Sequence, residues 1–419
     1  MNNVNHKAGS TLWDLSRVRI IALCFIVQNC GMGLVMGSFG PLVKFNEAHF
    51  EISRTMAAAG MSMITLSIGL LSPFAGIFLQ KYPARFLLAG ALCVTGLAYI
   101  GIASTHTYTI AMLLYLVAGV GVCFASVLGP VTIISRWFVS NRAKILSIVN
   151  LPLFLFLTPY VIGVVAPSVG RFNTLVGIGV VLMLLSPLAL FITDRPPLDA
   201  EAAKTAANTR ASTKQLMSNR DIFRDFRFWV ISLAIGVIAG SGTAYVVHIV
   251  PYGLEIGMSL QKATLLLSLY SAAGIVGTLL FGWVADKIGA IPSLIITGLV
   301  QAGCWSLIAY NTGMALLAVA ALIGMCILPL ITLHGEALTR LYGADNVSRV
   351  MGYSYFIKIP FIFAFAPLMG YLYEINDGYR VPFLMTSFLI LVAALMFLLV
   401  LRGNGAGRQT ATLTARSNS

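Results

Sequence analysis

Twelve stretches of this chain, at approximately 18–43, 55–79, 86–104, 108–134, 145–166, 172–192, 228–250, 263–283, 291–310, 313–335, 350–372 and 381–401, are almost unbroken runs of apolar side chains. A helix needs about 20 such residues to cross the hydrocarbon of a bilayer. Hydrophobic residues make up 58% of the 419 and charged residues only 10%, a balance that a soluble domain could not keep in water. The sequence therefore predicts an all-α membrane protein with twelve transmembrane helices. The first run starts close to Met1, yet it is long, lacks a small-residue cleavage site and is followed by more spans, so it reads as a retained helix and not a signal peptide. All six cysteines fall inside predicted spans without metal-ligand spacing, and neither a metal nor a cofactor is expected.

The net charge of +13 raises the question of a nucleic-acid partner, and its distribution answers it. With the N-terminus placed inside, twenty-one of the 27 Lys and Arg residues fall in segments on that side. Five (Lys44, Arg54, Arg171, Lys262, Arg380) face the other way, and the last is Lys358. This is the positive-inside asymmetry of a multi-pass protein with both termini cytoplasmic. Nucleic-acid binding would need basic and aromatic residues gathered on one soluble domain, and no segment here is built that way. Short loops suit a bacterial inner (plasma) membrane.

One long polar segment interrupts the apolar pattern, residues 193–227, rich in Ala, Thr and charge. It reads as a cytoplasmic linker between two halves, 18–192 and 228–402, flanked by a cytoplasmic N-terminal tail, 1–17, and a disordered tail, 403–419. Internal repeats support the division. "NLPLFLFLTP" from Asn150 and "KIPFIFAFAP" from Lys358 align without a gap at an offset of 208 residues. "GIFLQKYPAR" from Gly76 answers "GWVADKIGAI" from Gly282 at 206, and Pro41 answers Pro251 at 210. Two pseudo-symmetric six-helix bundles are the expected architecture.

The motif "GWVADKIGA", together with twelve spans in two halves, resembles the major facilitator superfamily of secondary transporters over about residues 15–402. "HIVPYGLEIGMS" (248–259), "RWFVSNRAKILS" (136–147) and the lysine of the eleventh span are similar to its monocarboxylate porter and oxalate/formate antiporter branch. The resemblance implies a major facilitator fold, a monomer, and a latch that closes the cytoplasmic side through Gly282, Asp286, Lys287 and Gly289, with Arg136 and Arg142, after the fourth span, as further gating residues. A tight charged turn between helices would explain "DKIG" equally simply. The first half departs from the motif, with Gln80 and Pro83 where the family has Asp and Gly.

Lys358 is the residue that apolar packing does not explain. Nine residues of helix after Arg349 carry it about 13 Å from the membrane edge, where an ammonium costs about 2.5–3.5 kcal/mol. A carboxylate would offset this, but each of the fourteen acidic residues falls in a loop, in a tail or at a span end. The missing counter-charge is then an anionic substrate. The alternative is a neutral lysine bonded to carbonyls that Pro360 frees from the helix. The resemblance supplies a second basic residue in span eight, but Thr278 stands there in this chain. One cation matches a monocarboxylate better than a dianion.

Tyr355 shares the helix face of Lys358 and matches an aromatic that the family uses around substrate. Asn150, its repeat mate, could donate to the second carboxylate oxygen or form an interhelical bond. Asn29 in the first span and His334 in the tenth are further substrate-binding candidates. His248 and Lys358 are candidates for coupling, although lone helical histidines also serve structure. The function expected is secondary active transport of a small organic anion by alternating access, driven by proton symport or by exchange against a counter-anion. A carboxylate receptor on the same fold would need a partner-binding domain. An enzyme would need paired carboxylates, a nucleophile constellation or a metal cluster within the spans, and none is expected.

Overall fold

The structure, a computed structural model, describes residues 15–138, 142–194, 217–310, 315–343 and 346–417, with side chains left aside at 73, 80, 142–144, 348 and beyond Leu401. Most of the predicted linker and the tail before Leu15 lie outside the described residues. Eleven helical stretches are long and apolar enough to cross a membrane, and one of them, Ile145–Phe191, is two spans. Gly170, at φ 77° and ψ 172°, breaks it, a backbone state that only glycine adopts without strain. The twelve spans are α1 (Leu15–Phe50), α2 (Arg54–Lys81), α3 (Ala84–Ser104), α4 (Tyr108–Trp137), α5 (142–169), α6 (171–191), α7 (Phe226–Glu255), α8 (Leu260–Ile288), α9 (Ala290–Ile308), α10 (315–342), α11 (Val347–Asn376) and α12 (Arg380–Ser417).

The helix ends repeat between the halves as the sequence predicts. Ser53 caps α2 by accepting from the Met56 amide, and Ser259 caps α8 by accepting from the Lys262 amide. The two caps sit 206 residues apart and each satisfies an orphan N–H of a first turn. At the other ends, Arg136 donates to the Leu79 carbonyl that closes α2, 2.6 Å away. Arg340 donates to the Ala285 carbonyl at the end of α8 across 3.3 Å. A cation over free carbonyls complements the negative end of a helix, so each arginine ties the last span of a hairpin to its neighbour.

Three features depart from the apolar pattern. Helix α1 continues to Phe50, so Lys44 lies on a helix and not in a loop. Two π-helical turns, Cys30–Leu34 in α1 and Cys123–Leu128 in α4, widen the spiral where small residues bring backbones together. A Cβ on Gly33 would lie 2.8 Å from the Leu155 backbone nitrogen. Third, α12 runs on as helix to Ser417, across the tail that composition predicts to be disordered. No proline interrupts the Gln, Thr, Ala and Arg residues there.

The halves meet mainly at the end of the bundle opposite the termini. Arg54, 4% exposed on α2, reaches across to the Tyr379 hydroxyl and also holds Glu47 at the end of α1. The Tyr379 hydroxyl lies 3.1 Å from Nδ1 of His248 on α7, and His248 Nε2 lies 2.8 Å from the Ala366 carbonyl on α11. Since a carbonyl only accepts, Nε2 carries the proton and Nδ1 accepts from Tyr379. Thr55 N–H donates to Glu374 at 2.7 Å, and the Tyr373 ring lies 4.6 Å beneath the Arg54 guanidinium. Backbones also close up here. A Cβ on Gly40 of α1 would stand 2.3 Å from the Val246 carbonyl of α7, and one on Gly370 of α11 would stand 2.9 Å from the Thr55 backbone of α2. We call this the latched end.

Two outcomes test these contacts. Tyr379→Phe leaves Nδ1 of His248 and an N–H of Arg54 without a partner, a loss of about 1–3 kcal/mol for each buried group. Spin labels across the latched end should report a larger population of separated halves in Tyr379→Phe than in the wild type. The second concerns Asp225, at the start of α7. Burial pushes its carboxyl up, but bonds from Arg227 and the Tyr342 hydroxyl outweigh this and hold it below its ordinary 3.8. A lowered folded value gives stability that is present above about pH 3.8 and lost as pH falls through the folded value. Thermal unfolding of wild type should therefore drop more steeply than that of Asp225→Asn below about pH 4.

Candidate functional site

Lys358 lies within α11, which runs unbroken through Pro360. The ammonium is 4% exposed. Among the described residues its polar neighbours are Nδ1 of His334 on α10, at 3.4 Å, and the Tyr355 ring on its own helix, with Nζ 3.5 Å from the ring centroid. It touches neither a carboxylate nor a main-chain oxygen. No carbonyl near Pro360 meets Nζ, and among the described residues no carboxylate contacts it. A cation over a desolvated aromatic face recovers about 2 kcal/mol, less than the cost of burying it at mid-membrane.

The network extends behind the histidine. Nε2 of His334 lies 3.0 Å from Ser354 Oγ, and the Ser232 hydroxyl of α7 donates to that same oxygen at 2.9 Å. Ser354 and His334 are fully buried, as is Ser232. Ser354 precedes Lys358 by one helical turn, so α11 presents both groups to the seam between α7 and α10. Sequence reasoning missed the two serines, because a hydroxyl in an apolar helix carries no pattern. The four-residue spacing to Lys358 was the available signal.

Tyr355 opens the network to the space between the halves. Ile359, one turn along α11, packs where a Cβ on Gly69 of α2 would lie, at 2.8 Å. Tyr355 is on that same face, one turn further from the latched end, and 43% of its surface is accessible. The site thus sets a buried lysine and histidine behind a half-exposed aromatic ring.

The other predicted residues are placed elsewhere. Asn29 is 1% exposed, and its amide donates to the Phe25 carbonyl while its oxygen accepts from the Phe154 amide at 3.0 Å. That amide opens the second segment of α5 after the break at residues 150–152, so Asn29 caps a helix that is not its own. Each of its polar ends makes a hydrogen bond within the bundle, and neither joins the lysine network. Asn150 is exposed at the break in α5 and does not join the lysine network; Pro152 interrupts α5, whereas its repeat mate Pro360 leaves α11 whole. His248 is fully buried, with both ring nitrogens hydrogen-bonded at the latched end and away from the lysine network.

Of the gating candidates, Gly289 adopts φ 99° and ends α8. Asp286 and Lys287 are exposed, and the Lys287 ammonium lies 3.8 Å from the centroid of Trp283 on its own helix. Gly282 has open space where a Cβ would sit. Arg136 closes α2 as described, and the side chain of Arg142 lies outside the described residues.

Two repeated six-helix bundles, latched at one end around a mid-membrane cation, have the build of a membrane transporter. The sequence matches the Major Facilitator Superfamily over residues 21–304 and 238–416, and the chain belongs to that family. Monocarboxylate transporter 12 of Xenopus laevis is 26% identical over 182 residues, which cover 41% of this chain and only 38% of the frog protein. Monocarboxylate transporter 12-B of Danio rerio is 23% identical over 90% of this chain and 85% of its own length. An uncharacterized MFS-type transporter, YcxA of Bacillus subtilis, is 24% identical over 65% of this chain and 67% of its own. Among solved structures, a bacterial homolog of the human lysosomal transporter Spinster, inward-facing and unoccupied, superposes with a TM-score of 0.71 at 13% identity, covering 93% of this chain and 98% of its own. The nucleoside transporter NupG also gives 0.71 at 13% identity, covering 92% and 98%. These structural likenesses show the fold alone.

The trans cap makes a direct stability test. Asn29→Ala should destabilise the protein by about 1–2 kcal/mol, the cost of a lost cap in a buried setting. The expected readout is a lower melting temperature with the response to ligands retained. A variant that keeps its melting temperature but no longer responds to ligands would return Asn29 to the binding site.

Proposed function

We propose that this chain is a secondary active transporter of a small organic anion, a monocarboxylate, working by alternating access with proton symport. The observation that carries the reading is Lys358: a buried ammonium with an aromatic ring and a histidine beside it and no carboxylate in contact. An anion from solution would complete the pair. Its carboxylate would meet Nζ, and the exposed face of Tyr355 would pack a short aliphatic or aromatic tail. The single cation and Thr278, which spends its hydroxyl on the Gly274 carbonyl at 2.8 Å, support one negative charge over two. The names of the frog and zebrafish relatives point to the same substrate class.

In this reading the structure is the state open toward the cytoplasm, with both termini on that side and the chain in the inner (plasma) membrane. The two halves, 18–192 and 228–402, rock about the site. Release of the latched end admits substrate from outside, while Asp286 and Lys287 leave their own helix and close the opposite end against the first half. A monomer suffices, because the site is built within one chain.

Thermal unfolding of the purified protein against a panel of small aliphatic, hydroxy and aromatic acids tests binding. A stabilising acid at a hundred times its Kd should add about 2.7 kcal/mol. Lys358→Gln should abolish the shift while melting near the wild-type temperature in the absence of acid. Stabilisation that survives in Lys358→Gln contradicts the reading. For coupling, an inward gradient of the stabilising acid should acidify the lumen of proteoliposomes. Uptake that requires a trapped internal anion and leaves the lumen at constant pH assigns exchange in place of symport.

A further inference from the structure

We propose that His334 is the proton site of the transport cycle, and that it takes its proton only when a carboxylate occupies Lys358. This rests on the carboxylate reading of the same site. The hydrogen-bond geometry sets the order of events. Nδ1 of His334 faces Nζ of Lys358 at 3.4 Å, and Nε2 faces Ser354 Oγ at 3.0 Å. With Lys358 charged, Nζ brings only donors, so Nδ1 must accept and Nε2 must carry the ring's single proton and donate to Ser354. Ser354 Oγ accommodates this, since it also accepts from Ser232 at 2.9 Å. It is thus the charged lysine that selects the tautomer whose free lone pair points at Nζ, with Ser354 accepting on the far side of the ring.

A second proton cannot enter the empty site. It would place an N–H on Nδ1 directly opposite the ammonium, two donors and two like charges 3.4 Å apart, with no acceptor between them. Among the described residues no other charge relieves the repulsion. Helix α11 contributes Lys358 and Tyr355, α7 contributes Ser232, and on α10 the Glu336 carboxylate is bound to Arg340. Along α8 the charged residues Lys262, Asp286 and Lys287 lie at its ends, and the buried Tyr270 of α8 and Cys304 of α9 are neutral acids.

A carboxylate removes the obstacle. Its two oxygens supply one acceptor for Nζ–H and another for Nδ1–H, so the ring can bind a proton from the aqueous side and donate from both nitrogens. The empty site carries one positive charge, on Lys358. The loaded site carries two positive charges and one negative. The net charge is the same in both, so the charge reoriented with the loaded site is cancelled by the return of the empty one. One proton travels with each monocarboxylate, and the cycle is electroneutral. When the anion leaves, the restored repulsion expels the proton on the same side.

The test is proton uptake on binding, read with a pH dye in weakly buffered detergent solution near neutral pH, using whichever acid stabilises the wild type. Wild type should take up about one proton per carboxylate bound. His334→Gln keeps a neutral polar side chain but cannot hold the proton. It should still be stabilised by the acid and should still exchange labelled for unlabelled acid across proteoliposomes, while proton uptake and proton-driven accumulation are lost. If His334→Gln continues to take up a proton, the carrier is Lys358 and the proposal is overturned. Ser354→Ala supplies a second readout that leaves both titrating groups in place. Removing the partner of Nε2 should move the pH midpoint of proton uptake, and an unmoved midpoint also overturns the proposal. Failure of every acid to stabilise the wild type would instead remove the carboxylate reading beneath it.

Discussion

A single ammonium without an internal counter-charge governs the middle of this protein. The two buried arginines among the described residues, in contrast, each have several oxygen partners. Arg54 is held by Glu47 and Tyr379, and Arg171 by Asn46 and two carbonyls at the end of α3. Lys358 has only a neutral ring nitrogen and an aromatic face. Removing a charge from water and leaving it unmatched is costly, and the lasting way to meet that cost in a transporter is a ligand that comes and goes. On the proposed function, the transport cycle supplies that partner.

The two polar networks divide the work along the membrane normal. At the latched end, Glu47, Arg54, Tyr379, His248 and Glu374 join α1, α2, α7, α11 and the turn before α12. Two of their bonds, Arg54 to Tyr379 and the Thr55 amide to Glu374, cross between the halves, so separating the halves at that end must break them. At the centre, Ser232, Ser354, His334 and Lys358 all belong to the second half and can move as one body. A cross-half network that opens and a within-half network that persists are the two things alternating access requires. The two histidines show the difference: one has both nitrogens bound in a closure, the other keeps a lone pair toward a cation.

The fold was legible because hydrocarbon imposes a length and an apolar run on each span, and these survive without knowledge of packing. Offsets near 206 residues also marked the duplicated half, and the paired caps at Ser53 and Ser259 obey them. The isolation of Lys358 was legible for the same reason, since loops and span ends account for all fourteen acidic residues. What could not be read was the rotation of one helix against another. That rotation decides that His334 meets Lys358 while Asn150 does not, that Asn29 is consumed in capping α5, and that His248 is consumed in the latch. Arg54 and Tyr379 were hidden differently, because a loop arginine counts toward topology and a loop tyrosine toward nothing until the halves are folded together.

The most direct measurement is a map of the protein with a bromine-substituted short-chain carboxylate bound, located by anomalous scattering. The bromine should lie against the exposed face of Tyr355, with the carboxylate in hydrogen-bonding contact with Lys358 Nζ and His334 Nδ1. An anion found elsewhere in the bundle, with Lys358 still facing only the histidine and the ring, would contradict the assignment of this site.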